Sequence, residues 1–152
     1  MQPVVRPPDP RVQAPATSEI HVLLVDDNKI NRQLLVMFMK KHKFSYAEAE
    51  NGLEALEAYK SSCLPGPGSS EPTRRFDYVL MDISMPVMDG MESTRRIREF
   101  EGENEMERAY VIALTGLASA QAQSDAMAAG IDVFLPKPVK FAELRKMLNK
   151  EG

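Results

Sequence analysis

The chain has 152 residues, 43% of them apolar, and sets 19 Lys and Arg against 22 Asp and Glu for a formal charge of -3. That length and apolar content suit one globular domain with room for tails, and the acidic balance excludes a basic field for nucleic acid. The single cysteine, Cys63, excludes an internal disulfide and a cysteine-based metal site, no apolar run approaches the roughly 20 residues that span a bilayer, and the first residues lack the apolar centre of a signal peptide; a cytoplasmic domain without membrane contact is expected.

In chain order, Pro3, Pro7, Pro8, Pro10 and Pro15 crowd residues 1 to about 18, a segment too poor in apolar groups to offset its ordering entropy and read as a flexible linker. Residues 19–150 read as the folded domain. Short Val, Ile and Leu runs at 20–25, 78–81, 111–114 and 133–135, with a weaker one at 45–49, have strand length. Helical spacing follows each: Ile30, Leu34 and Phe38; Leu53, Leu56 and Tyr59; Met91, Thr94 and Ile97; Ala122, Ala126 and Ala129; Phe141, Leu144 and Leu148. Between the second helix and the third strand, residues 61–75 hold Pro65, Gly66, Pro67, Gly68 and Pro72 and read as a surface insertion. Five βα units whose strands are apolar on both faces predict a parallel sheet covered on both sides, a doubly wound α/β sandwich.

Polar groups fall where such a sheet binds ligands. Asp26 and Asp27 follow the first strand, Asp82 the third, Thr115 the fourth and Lys137 the fifth, and the carboxyl ends of parallel strands share one edge. A single Asp at a strand end is ordinarily a helix cap; the whole set converging is not. Three carboxylates in one crevice repel unless a cation sits among them, and oxygen donors without His or Cys point to Mg²⁺. An Asp can also act as nucleophile in phosphoryl transfer, with a metal and an ammonium neutralising the moving charge. Asp82 is the candidate, because it ends the central strand and precedes the tight segment Met85, Pro86, Met88, Asp89 and Gly90.

The residues Val25-Asp26-Asp27-Asn28, Met81-Asp82-Ile83-Ser84-Met85-Pro86-Val87-Met88-Asp89-Gly90, Ala113-Leu114-Thr115-Gly116 and Leu135-Pro136-Lys137-Pro138 resemble the signature of the response-regulator receiver domain. The resemblance covers about residues 20–150, and Asn31-Arg32 with the 61–75 insertion is similar to receivers of fungal hybrid sensor histidine kinases. It implies a flavodoxin-like five-stranded sheet in the order 2-1-3-4-5 and a role in two-component phosphorelay signalling. By this resemblance Asp82 accepts a phosphoryl group as an aspartyl phosphate. Asp27, Asp82 and the Ser84 carbonyl bind Mg²⁺, with Asp26 acting through a metal-bound water. Thr115 and Lys137 contact the phosphoryl group, and the Lys137-Pro138 peptide is cis. The resemblance also implies that Phe134 turns inward with Thr115 on phosphorylation. The donor is a histidine phosphotransfer protein or a histidine kinase, docking on Ile30, Leu34 and Met37 of the first helix.

The competing enzyme reading is a haloacid-dehalogenase-type phosphohydrolase with Asp82 as nucleophile. Such enzymes need a second Asp two residues on, where this chain has Ser84. A flavodoxin-like FMN carrier fares worse, since Asp26-Asp27-Asn28 repels a phosphate. His21 opens a strand and His42 sits among lysines at a helix end, where cations suit the dipole, so neither reads as a phosphodonor. Asp132 and Glu143 read as surface charges.

Overall fold

The computed structural model describes residues 20–64, 75–83, 88–116 and 120–148. In chain order these form β1 (His21–Val25), α1 (Lys29–Lys41), β2 (Ser45–Ala49), α2 (Gly52–Cys63), β3 (Tyr78–Asp82), α3 (Gly90–Glu103), β4 (Tyr110–Thr115), α4 (Ala120–Ala129), β5 (Val133–Pro136) and α5 (Phe141–Met147). All pairings are parallel, as the apolar strands predict, and the order is β2-β1-β3-β4-β5, as the resemblance implies. The proposed linker, residues 1–18, lies outside the described residues, as does most of the proposed insertion. α2 runs to Cys63, into the stretch assigned to that insertion.

Local chemistry starts the first three helices. Asn28, Asn51 and Asp89 are N-caps whose side chains accept from the backbone N–H of Asn31, Glu54 and Glu92, satisfying donors that the first turn leaves open. Asp89 and Gly90, read from sequence as part of the tight segment after Asp82, are thus a cap and a helix start. At the other end of α1, Lys40 and Lys41 meet the negative end of the dipole.

Strand alternation sorts the core into two layers. Val22, Leu24, Leu80, Ile112 and Leu114 pack with Leu35, Phe38 and Met39 of α1 and Leu144 of α5. Leu23, Val25, Val79, Met81 and Val111 pack with Leu56 and Tyr59 of α2, Ile97 of α3 and Ala126 of α4. Both faces of β1, β3 and β4 are therefore dry, which is why these runs are continuously apolar. β2 is an edge strand whose first four residues keep solvent contact, and its pattern is correspondingly weak.

Spacing groups Ile30, Leu34 and Phe38 on α1, and the structure divides them. Phe38 is buried, but Ile30 and Leu34 are 69% and 47% exposed, and Leu35 and Met39 take the core positions. Leu53 and Phe141 are likewise partly exposed at 38% each. Asp132 is no plain surface charge: its carboxylate accepts from Arg98, Arg108 and the Val111 N–H. Arg98 also donates to the Gly130 carbonyl and to Glu101. Glu101, 2% exposed, accepts besides from the Tyr59 hydroxyl at 2.6 Å and the Ala109 N–H at 2.9 Å. Burial, then the bond to Glu101, pushes the Tyr59 phenol above its ordinary range, so it stays a donor. This network ties α2, α3, β4 and the α4–β5 connection together.

Candidate functional site

The order β2-β1-β3-β4-β5 reverses direction between β1 and β3, and a doubly wound sheet opens its crevice at such a switch point. Asp26 and Asp27 leave β1 there, and Asp82 ends β3. One carboxylate oxygen from each of Asp26, Asp27 and Asp82 lies within 4.8 Å of the others. Asp26 and Asp82 are buried at 1% and 4% exposure, whereas Asp27 faces solvent. The Lys137 ammonium reaches in from the end of β5, 3.3 Å from Asp82 Oδ2 and 3.5 Å from Asp26 Oδ2. Thr115 is buried at the end of β4, with its carbonyl accepting from the Lys137 N–H at 2.8 Å. The structure therefore brings together Asp26, Asp27, Asp82 and Lys137, with Thr115 on the adjacent strand end; Ser84 lies outside the described residues. The Lys137-Pro138 peptide is cis, as expected.

The oxygen donors suit a hard divalent cation. Among the described residues, buried Asp26 Oδ2 makes no hydrogen bond and has the Lys137 charge opposite, which leaves an acceptor turned toward the cluster. Asp26 Oδ1 is already used, accepting from the Asn28 N–H at 2.8 Å, so its carboxylate is held in one orientation.

Several positioning groups carry no obvious sequence signal. Arg32 is 8% exposed; its Nη1 donates to the Asp26 carbonyl at 2.7 Å and its Nε to Glu48 Oε1 at 2.8 Å, pinning the β1–α1 connection from beneath. The Gly52 N–H donates to the Met88 carbonyl at 2.9 Å and Ser93 Oγ to the Gly52 carbonyl at 2.8 Å, which ties the segment after Asp82 to the start of α2. A side chain on Gly52 would collide with that Met88 carbonyl, and one on Gly90 would lie 2.5 Å from the Asp82 carbonyl oxygen. Both contacts demand glycine. At Gly116, by contrast, an added Cβ would meet no atom of the described residues within 4 Å.

Residues 22–149 match the response regulator receiver domain. The chain belongs to this family. Among relatives, hybrid signal transduction histidine kinase A of Dictyostelium discoideum is 36% identical over 99% of this chain and 6% of its own length. The response regulator mcs4 of Schizosaccharomyces pombe is 34% identical over 88% of this chain and 28% of its own. The receiver thus spans only a small part of these relatives. Among solved structures, the receiver domain of Ssk1, in complex with the histidine phosphotransfer protein Ypd1 from Saccharomyces cerevisiae, superposes with a TM-score of 0.75 at 31% identity, covering 90% of each chain. The receiver domain of the sensor histidine kinase PA1611 from Pseudomonas aeruginosa, with a magnesium ion coordinated in its active-site cleft, gives 0.70 at 29% identity, covering 86% of this chain and 95% of that one. The sequence-derived family, fold and two-component role are thus borne out, and the phosphohydrolase alternative gains no support. Among the described residues no helix is long and apolar enough to cross a membrane.

Proposed function

We propose that this receiver domain takes a phosphoryl group from a phosphohistidine onto Asp82, in the cytoplasm, as one module of a longer hybrid histidine kinase or response regulator. The observation that carries the reading is the Lys137 ammonium 3.3 Å from a buried Asp82 oxygen inside a three-carboxylate cluster. A carboxylate of Asp82 attacks phosphorus in line; the new bond is Asp82 O–P, the bond that breaks is N–P, and the leaving imidazole nitrogen keeps the electron pair and takes up a proton. Lys137 stands opposite the charge of the phosphoryl oxygens, and the Thr115 hydroxyl donates to one of them. Asp27 and Asp82 would hold Mg²⁺ with the Ser84 carbonyl, and Asp26 through water. Bound there, the ion supplies charge neutralisation for a phosphoryl group entering a nest of carboxylates. Phe134, half-buried on β5 and packed against the layer under α4, is proposed to turn inward once Thr115 engages the phosphoryl group. The donor is a histidine phosphotransfer protein or a histidine kinase, and residues 1–18 serve as a linker.

Incubation with phosphoramidate and Mg²⁺ is expected to yield a hydroxylamine-labile acyl phosphate, and chelation of the metal to suppress it. A stable phosphoester, or labelling indifferent to chelator, would overturn the reading. Asp27→Asn is expected to weaken Mg²⁺ affinity by about tenfold or more while leaving thermal stability unchanged or slightly raised, since one of three mutually repelling carboxylates is removed. Titration calorimetry and a melting curve check both halves; a marked loss of stability contradicts the repulsion.

A further inference from the structure

One surface carries chemistry that the phosphoacceptor site does not use. α1 exposes Ile30 at 69%, Leu34 at 47% and Met37 at 65%, and the same three- and four-residue spacing continues to exposed Lys41. The stripe begins beside Asp27 and ends about 16 Å further along the axis, where Lys40, Lys41 and Lys43 are all exposed around the C-cap His42. α5 brings more cations to that end: Arg145 and Lys146 occupy its last turn, and Arg145 Nε donates to His42 Nδ1 at 3.2 Å. Burial, followed by the charges of Arg145 and Lys41, holds the His42 imidazole below its ordinary range, in keeping with a positive local field. Among the described residues the ion pairs are made by Arg32, Arg95, Arg96, Arg98, Arg108 and Lys137, and none involves Lys40, Lys41 or Lys43. In a chain of net charge -3 this is a concentrated exception.

Resting on the receiver reading, we propose that this basic end anchors acidic side chains of the protein phosphodonor. The partner is a helical, phosphohistidine-bearing protein that lays an apolar ridge along Ile30, Leu34 and Met37 and carries acidic residues at the end of the ridge remote from its histidine. Continuity argues for this occupant: the exposed spacing Ile30, Leu34, Met37 continues to Lys41, and a cleft of about 380 Å³ lined by Leu34, Phe141 and the site residues Asp26 and Lys137 joins the start of that stripe to the acceptor site. An anionic bilayer fits worse, because the stripe leads straight into exposed Asp27. Charge at this distance from the reacting atoms steers encounter and fixes orientation without touching the transfer chemistry.

The test compares two phosphodonors on the full chain, radiolabelled phospho-Ypd1 and phosphoramidate, for wild type, for Lys40→Glu/Lys41→Glu/Lys43→Glu, and for the milder triple Gln variant, which avoids placing anions at the helix C-terminus. Expected at about 50 mM salt is a transfer rate from phospho-Ypd1 lowered about tenfold or more by charge reversal and less by neutralisation, with a flattened salt dependence. Phosphoramidate labelling should be unchanged in both variants, which also shows that they fold. Transfer from phospho-Ypd1 to the variants at the wild-type rate overturns the proposal. So does wild type that accepts from phosphoramidate and not from phospho-Ypd1, and so does loss of phosphatidylserine vesicle binding with transfer intact. Wild type that neither donor labels sinks the receiver reading itself, a distinct result.

Discussion

Asp82→Asn is expected to reduce phosphoryl acceptance to background, a fall of at least about a thousandfold, or some 4 kcal/mol of barrier. An amide is nearly isosteric with a carboxylate but offers no anionic oxygen to attack phosphorus. The acidic neighbours cannot replace it: Asp26 has one oxygen committed to the Asn28 N–H, and Asp27 is exposed rather than seated under the Lys137 ammonium. The same substitution should not harm the fold. It removes a charge buried at 4% exposure from a cluster of three like charges, while Lys137 keeps Asp26 as a counter-charge at 3.5 Å. The melting temperature is therefore expected to hold or rise, since like charges in one site disfavour joint ionisation. Hydroxylamine-labile label on the Asn variant equal to wild type would place the acceptor elsewhere, and a drop of several degrees in melting temperature would show that the Asp82–Lys137 attraction outweighs carboxylate repulsion.

Much of this was legible in the sequence because parallel α/β folds write their strands as continuous apolar runs and their sites as the polar residues that end them. Asp26, Asp27, Asp82, Thr115 and Lys137 are each unremarkable alone; topology makes them neighbours, and topology follows from the alternation of short and long segments. The faint run at 45–49 is an edge strand, half covered, so its pattern had little apolar content to show. α1 shows what spacing alone leaves open. Ile30, Leu34 and Phe38 fit one helical face, yet only Phe38 is buried, and the apolar residues left outside are those beside the acceptor site. Periodicity cannot separate an apolar side chain that packs inward from one held for a partner, since both satisfy the same spacing. Contacts between distant positions were also invisible: Gly52 against Met88, Arg32 beneath Asp26, and the burial of Glu101 depend on three-dimensional neighbours that no local pattern announces.

Glu101 carries the largest expected effect on stability. By sequence it is one more acid on a polar helix, but it is 2% exposed and receives the Tyr59 hydroxyl, the Ala109 N–H and Arg98 Nη1 between 2.6 and 2.9 Å. Glu101→Ala strands three donors in a dry site and leaves the guanidinium of Arg98, 14% exposed, with Asp132 as its remaining counter-charge. Breaking a buried pair from one side costs about 3–5 kcal/mol, a large fraction of the roughly 5–15 kcal/mol that holds a domain together. Glu101→Gln keeps an acceptor oxygen and most of the volume, so it should cost less. Denaturant midpoints with unchanged slope measure both. Because the network sits at the end of α3 remote from Gly90 and Asp82, the fraction of protein that remains folded should accept phosphate from phosphoramidate at the wild-type rate. Combining Glu101→Ala with Tyr59→Phe should cost less than the sum of the single changes, since the phenol's acceptor is already gone. A loss below about 1 kcal/mol for Glu101→Ala, the scale of an exposed pair, would mean that water reaches these groups and that the network does not brace α2 and α3 against β4.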